Sequence, residues 1–357
     1  MINNIIYMER AIELAELGRG NVSPNPMVGC VLVKDDTIIG EGYHEKFGGP
    51  HAEDMAIKNS FVSPVDSTAY ITLEPCCIES KTLACSNLLI ENGIKEVFIA
   101  MIDPNPKVSG LGIKQLEKHG VKVNLGLCKD NAENLNRGFS TWIKTGRPWV
   151  IAKVAQSSNG FLGVDNNSQT IISCPESLKN VHILRSQVDA IMVGRNTAII
   201  DNPKLTVRKV NGKNPIRIVT DTNRQIPLNM NLFRDGEAET IVLCSNKKFS
   251  KSRTSFCKYI PIKEESNVLS IDHALLALGQ EGITSLLLEG GPNLINSFLN
   301  DDLINEIIVF TSQSKLENAT LKNPIKINDK WHIVSNKSIG TDNMLNAVRK
   351  DKCLQEL

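Results

Sequence analysis

The residues best suited to chemistry stand at three places in the first hundred: His51-Ala52-Glu53, Pro75-Cys76 and Cys85. One imidazole and two thiolates match Zn2+ in softness. Three ligands leave a fourth tetrahedral position open for water, which a catalytic zinc requires and a structural zinc does not. Zinc would bring the pKa of that water near neutrality. Glu53 follows His51 by two residues, about 200° around a helix axis, and so should not share its metal face. From the first helical turn it can still reach the water and shuttle protons. Cys76, directly after a proline, is expected at a helix N-terminus, where the dipole favours the thiolate. Cys77 is a rival ligand, and its neighbour is preferred because it follows Pro75. His44 is a lone histidine near a strand end that could touch substrate.

A second constellation lies far downstream. Glu289-Gly290-Gly291-Pro292 ends an apolar strand and opens a helix. Glycines at such a turn let backbone N–H groups approach a pyrophosphate, and a helix N-terminus favours the anion. The pattern is not G-x-G-x-x-G, so the usual dinucleotide fingerprint is absent. Arg185 and Arg208 are candidate phosphate or substrate anchors, because a guanidinium binds phosphate bidentately.

These residues need elements to hold them. A helix is predicted near residues 4–17, with Ile5, Met8, Ile12 and Ala15 on its apolar face. A hairpin, VGCVLVK and TIIGEGY, turns at Asp35-Asp36. TAYITL is a strand running into Glu74-Pro75-Cys76, and a helix from about Cys85 to Asn92 leads to the strand KEVFIAM. DPNPKVSGLG opens another helix, and VKVNLG is a further strand. Turn chemistry at Thr145-Gly146-Arg147-Pro148 marks a boundary, giving domains 1–146 and 147–357. Beyond it come the strands WVIAKVA, DAIMVG, IRIVTD, TIVLCS, SLLLEGG and EIIVFTS, while Ser312 to Asp342 is polar and ambiguous. Strands alternating with helices predict α/β sheets covered on both faces.

The 357 residues are 41% hydrophobic and 22% charged, enough apolar material for two cores. Lys plus Arg is 40 and Asp plus Glu is 39, so the net charge is 40 − 39 = +1. No global field attracts nucleic acid or an anionic membrane. No apolar run is long enough to cross a bilayer, and Glu9, Arg10, Glu13 and Glu16 interrupt any export-signal core. Nine cysteines, an odd number without an export signal, point to reduced thiols and a cytoplasmic protein.

The H-x-E … P-C pattern resembles the signature of zinc nucleoside and nucleobase deaminases, in which C-x-x-C is usual. Here eight residues separate Cys76 from Cys85. A nucleic-acid base deaminase is a competing reading, but the long spacing and neutral charge count against it. The stretches NPMVGCVLV, GEGYHEKFGGPHAE, TAYITLEPC, DPNPKVSGLG, SQTIIS, HILRSQVDAIMVG, DNPKLTVR, PIRIVTD and LLLEGGPNL together resemble the bifunctional deaminase–reductase of bacterial riboflavin biosynthesis, over nearly the full length and in order. That resemblance implies an N-terminal cytidine-deaminase-like α/β/α domain with zinc and a C-terminal dihydrofolate-reductase-like α/β domain using NADPH. The first would remove the 2-amino group of a diaminopyrimidinone ribosylamine phosphate; the second would reduce the ribosyl group to ribityl. A homo-oligomer acting on a small molecule is implied, with no nucleic-acid or membrane partner.

Carried onto this chain, the resemblance makes His51, Cys76 and Cys85 zinc ligands and Glu53 the proton shuttle. Asn25 would hold the pyrimidine and Lys81 the substrate phosphate. Asp201 would stand beside the nicotinamide and the reacting carbon, with Lys153 near the reacting end. Cofactor contacts would come from Ala155, Thr170, Thr197, Asp201, Thr222, Gly291, Pro292, Asn293, Leu294, Ile295, Asn296 and Ser297. Substrate contacts would come from Ser168, Arg185, Leu205, Arg208 and Glu289. The chain departs from the family pattern in four places. Cys77-Ile78 replaces Ser-His, Asn159 replaces an acid, Phe161 replaces a cation, and Thr170 stands where tryptophan is common. Asn159 and Thr170 motivate an alternative, a deaminase whose second domain is inactive or structural.

Overall fold

The computed structural model describes residues 2–77, 83–164, 170–250, 257–265 and 268–350. Contacts divide the chain into two units, Met1–Thr145 and Gly146–Leu357.

The first unit runs α1 (Ile2–Glu16), β1 (Gly29–Lys34), β2 (Thr37–Tyr43), α2 (Ala52–Lys58), β3 (Thr68–Leu73), α3 (Cys85–Glu91), β4 (Glu96–Met101), α4 (Leu111–Lys118), β5 (Lys122–Leu125), α5 (Lys129–Leu135) and α6 (Arg137–Thr145). Its sheet has the order β2-β1-β3-β4-β5, antiparallel through β3 and parallel beyond. Asp35 and Asp36 both take positive φ, 50° and 57°, at the hairpin turn. This is the mirror-image turn that matches strand twist, and short polar side chains tolerate it. Alternation along β1 supplies both faces. Cys30 and Leu32 pack with Ala52, Ala56, Leu89 and Leu116, whereas Val31 and Val33 pack with Met8, Ala11 and Ala132. Gly42 lets α2 lie directly on β2, since a Cβ there would come 2.3 Å from the Ala56 nitrogen. That close approach fixes the helix whose start carries His51 and Glu53.

The second unit runs β6 (Trp149–Gln156), β7 (Phe161–Gly163), α7 (Pro175–Ser186), β8 (Ala190–Gly194), α8 (Arg195–Asp201), β9 (Ile216–Thr220), α9 (Asn231–Arg234), β10 (Thr240–Ser245), β11 (Cys257–Ile262), β12 (Glu264–Glu265), β13 (Val268–Leu269), α10 (Ile271–Gln280), β14 (Ser285–Leu288), α11 (Pro292–Asn300), β15 (Glu306–Thr311), β16 (Leu321–Lys322), β17 (Trp331–Ile339) and β18 (Asp342–Arg349). The main sheet has the order β11-β10-β9-β8-β14-β6-β15-β18-β17. All of it is parallel except the last two strands. Val150, Ala152 and Val154 of β6 enter one core, and Trp149 and Ile151 the other. Parallel strands buried on both faces read as continuous apolar runs. The polar stretch after Ser312 contains β17, an edge strand with mostly exposed side chains. Such an edge is not marked by an apolar pattern, and charged or polar residues guard it from further pairing.

Candidate active sites

His51 is the N-cap of α2 in extended conformation, φ −79° and ψ 163°, and Glu53 lies buried in the first turn. His51 thus precedes the helix while Glu53 lies on it, and both side chains reach Cys85, His51 Nδ1 at 3.1 Å and Glu53 through a side-chain hydrogen bond. β3 delivers Glu74-Pro75-Cys76, and α3 begins at Cys85. The helix N-terminus thus belongs to Cys85, which corrects the expectation for Cys76: Cys76 follows a strand. It still benefits from the helix, because the Cys85 N–H donates to Cys76 Sγ at 3.4 Å.

His51 Nδ1 is 3.1 Å from Cys85 Sγ and 3.7 Å from Cys76 Sγ, and the three donor atoms lie within 4.8 Å of one another. Ligand atoms on one tetrahedral zinc are about 3.5–3.8 Å apart, so this donor set fits the ion. The Cys76 thiol is pushed down to about 4 by its hydrogen bond with Cys85, against burial and with help from His51. His51 is raised to about 9 by Cys76. The Cys76 shift favours its thiolate, the form in which sulfur ligates, while the shared hydrogen bond and burial push Cys85 up. Glu53 is raised to about 7 by burial and by the Cys76 charge.

Asn25 reaches this group through His44, with Nδ2 to His44 Nε2 at 3.1 Å. The His44 Nδ1–H donates to the Pro50 carbonyl at 2.8 Å, so Nε2 is the accepting nitrogen. Burial lowers His44 and keeps it neutral. The His44 ring centroid is 5.6 Å from that of His51. Asn136 clamps the neighbouring backbone by accepting from Met27 N–H and donating to the Met27 carbonyl, at 2.8 and 2.9 Å. Cys77 is not among the three clustered donors. Lys81 lies outside the described residues.

Sequence reasoning missed Glu74. Its buried carboxylate accepts backbone N–H groups from Asp103, Gly110, Gly112 and Ile113, at 2.9–3.3 Å. It ties the end of β3 to the DPNPKVSGLG loop and the start of α4. The visible signal was an acid at the end of an apolar strand, where it must find donors.

In the second unit, the carboxyl ends of β6, β8, β9 and β14 collect the remaining candidates. Arg185 grips Glu289 with two bonds, Nε to Oε1 at 2.9 Å and Nη2 to Oε2 at 3.1 Å. Lys153 Nζ is 3.5 Å from Glu289 Oε2. Burial would raise Glu289, but the Arg185 and Lys153 charges outweigh it and hold the carboxylate down at about 2. Arg185 also donates to the Thr206 carbonyl at 3.2 Å, and Arg208 to Thr206 Oγ1 at 3.1 Å. The Arg208 N–H donates to His182 Nδ1 at 3.1 Å. His182 is lowered to about 4 by burial and by the two arginines, and so is a neutral acceptor. Leu205 is buried with φ +56°, a conformation that costs a bulky residue and marks a tightly specified segment. Asp201 closes α8, with its carboxyl raised by burial.

Gly291 caps α11 without a side-chain bond, and a Cβ on it would stand 3.8 Å from Thr197 Oγ1. An uncapped helix start facing a bare glycine suits a dinucleotide phosphate. Pro292 occupies the first helical turn and Leu294 and Ile295 are buried beneath it. Ala155 ends β6 and Thr222 follows β9. Thr170 Oγ1 would lie 3.0 Å from a Cβ on Gly163. Ser168 lies outside the described residues. Asn159 accepts from Ser157 Oγ at 2.7 Å and Leu316 N–H at 3.1 Å, and donates to the Leu316 carbonyl at 3.0 Å. The amide both donates and accepts, so asparagine ties the β6–β7 turn to Leu316 with a donor that an ionised acid lacks. Phe161 pairs with Lys322 in the short β7–β16 ladder.

Family models match the chain in two places. "Cytidine and deoxycytidylate deaminase zinc-binding region" covers residues 1–101, and "RibD C-terminal domain" covers residues 148–313. The riboflavin biosynthesis protein RibD of Aquifex aeolicus is 39% identical over 307 residues, 85% of each chain. The chain belongs to the RibD family. The RibD protein of Escherichia coli is 35% identical, covering 87% of this chain and 88% of its own. The solved structure of Acinetobacter baumannii RibD superposes with TM-score 0.88 at 30% identity, covering 98% of this chain and 99% of that one. A Thermotoga maritima structure named as a diaminohydroxyphosphoribosylaminopyrimidine deaminase and 5-amino-6-(5-phosphoribosylamino)uracil reductase superposes with TM-score 0.85 at 31% identity. As a RibD protein this chain is a bifunctional deaminase and reductase of riboflavin biosynthesis, using zinc and NADPH. The RibD C-terminal match spans Asn159, Phe161 and Thr170 and gives no support to an inactive second domain. Among the described residues no helix is long and apolar enough to cross a membrane.

Proposed function

We propose that residues 1–146 deaminate 2,5-diamino-6-ribosylamino-4(3H)-pyrimidinone 5′-phosphate and that residues 147–357 reduce the ribosyl group of the product to ribityl. The convergence of His51 Nδ1, Cys76 Sγ and Cys85 Sγ within 4.8 Å carries the first half of this reading. These three residues would hold zinc, which when bound is a Lewis acid that brings the pKa of water near neutral. Glu53, buried with its carboxyl near 7, accepts one proton from water and returns it to the departing amine nitrogen. Asn25, with its Nδ2 on neutral His44, would accept a pyrimidine N–H at its Oδ1. Lys81 and Ser168 rest on the resemblance alone.

In the second unit, Gly291 to Ser297 with Thr197 would hold the NADPH pyrophosphate, Thr222 the adenosine side, and Ala155 and Thr170 the nicotinamide side. NADPH, when bound, supplies the reducing equivalent. Lys153, fixed by Glu289, and Asp201, whose carboxyl is raised by burial, would face the reacting end. Arg185 is engaged by Glu289, which leaves Arg208, steadied by Thr206 and His182, to take the ribose phosphate. The near-neutral charge and reduced cysteines support a cytoplasmic enzyme with a small-molecule substrate, and the family resemblance supports a homo-oligomer, checked by light scattering.

The test is ammonia release from the diaminopyrimidinone, followed by loss of reduced-nicotinamide absorbance when NADPH is added. Both signals are expected from zinc-loaded protein. Ammonia without NADPH oxidation would contradict the second half, and neither signal would contradict both.

A further inference from the structure

The stretch between α8 and β9, residues 202–215, forms neither helix nor strand. Among the described residues, no backbone–backbone hydrogen bond holds residues 203–215. Peptide groups left without such bonds must find partners elsewhere, and here side chains supply them. The fully buried Arg217 of β9 donates from Nη1 to the Lys204 carbonyl at 3.3 Å. Arg185 of α7 donates to the Thr206 carbonyl at 3.2 Å. Asn214 Oδ1 accepts the Val207 N–H at 2.8 Å. His182 Nδ1, about one turn before Arg185 on α7, accepts the Arg208 N–H at 3.1 Å.

The grip reaches past the stretch itself. Asn214 Nδ2 donates to the Glu237 carbonyl at 2.9 Å, so this one amide joins Val207 to the turn between α9 and β10. The buried Thr206 hydroxyl donates to Glu237 Oε2 at 3.4 Å and is left to accept from Arg208 Nη1 at 3.1 Å. Leu205 keeps its φ of +56° inside this frame, a conformation that persists where the surroundings over-determine it. Arg208 projects from the frame: it is exposed, and among the described residues it has no carboxylate partner.

We propose that Asn214 and His182 are positioning residues for the reduction: they fasten the backbone that carries Arg208, so that the arginine meets the substrate phosphate on a preformed loop. The inference rests on the reading that Arg208 takes the ribose phosphate. A loop that had to be ordered at each binding event would lower the affinity by the fraction of time it is out of place. Fastening the peptide groups on either side of Val207 removes that loss without a contact to the substrate.

The experiment compares reduction, by the full chain, of the deaminated pyrimidine with and without its 5′-phosphate. Wild type should favour the phosphorylated form through KM. Asn214→Leu and His182→Leu should each raise the KM for the phosphorylated substrate by about 10-fold, as loss of one hydrogen-bond partner would. The kcat, the KM for NADPH and the KM for the dephosphorylated substrate should stay where they are, which a general loss of stability would not allow. Arg208→Gln should abolish the advantage of the phosphate, and adding Asn214→Leu to it should raise neither KM further, because the two act on one interaction. Equal KM rises for the two substrates, or losses that multiply in the double variant, would overturn the proposal. An unaltered KM in both leucine variants would do the same. Arg208→Gln with no effect on the phosphorylated substrate would instead refute the placement of the phosphate at Arg208.

Discussion

Glu53 and Glu289 are both buried carboxylates, and their surroundings drive them in opposite directions. Glu53 has burial and a neighbouring thiolate and rises to about 7; Glu289 has two cations and falls to about 2. The first suits proton transfer, the second a fixed charge. Glu53→Gln should retain zinc while ammonia release falls by about 10²- to 10⁴-fold; metal analysis beside the ammonia assay checks this, and retained turnover would remove Glu53 from the reaction. Glu289 binds its proton less readily folded than unfolded. Its contribution to stability is present above the usual glutamate range and is lost as pH falls from about 4.5 to about 2, on the order of 3 kcal/mol in all. Denaturant titrations across that window should show the loss in wild type and a flatter profile in Glu289→Gln. The same variant should lose roughly 3–5 kcal/mol at pH 7, because Arg185 and Lys153 stay buried without their partner. Sequence reading named Arg185 and Glu289 as substrate contacts and Lys153 as a group near the reacting end, but not their mutual pairing. Arg185 and Glu289 lie 104 positions apart, and no local pattern records a contact of that range.

At the scale of elements, the clustered donors Cys76 and Cys85, the proposed zinc ligands beside His51, depend on the seam between β3, α3 and α4. Glu74 spends both carboxylate oxygens on α4 and its preceding loop, and Gly112 brings α4 so close that a Cβ would lie 2.1 Å from the Pro75 carbonyl oxygen. Backbone meets backbone there, so neither side can yield cheaply. Gly112→Ala and Glu74→Gln should each lower stability by about 1–3 kcal/mol and speed zinc release to a chelator, read with a colorimetric zinc indicator. Zinc release at the wild-type rate in both variants would show that the seam does not position Cys76. The α2 and α3 starts, the β1–β2 hairpin and the apolar parallel strands were legible because period, turn residues and β-branched runs agree. Cys76 was expected at a helix N-terminus as well, because a proline signals both a strand exit and a helix entry. β17 was illegible because an exposed edge strand has no buried face to impose alternation.

The whole molecule carries two chemistries on two units, with Glu53 in one and Asp201 in the other. Asp201→Asn should leave ammonia release intact and reduce NADPH oxidation by about 10²-fold or more, the reverse of Glu53→Gln; loss of both activities from either substitution would show that the units do not work independently. The most direct measurement is zinc content against ammonia release in wild type, His51→Ala and Cys85→Ser. One zinc per chain with activity in wild type, and loss of both in each variant, is the expected result. Active protein without zinc, or ammonia release undiminished when His51 is alanine, would contradict the zinc-dependent deaminase.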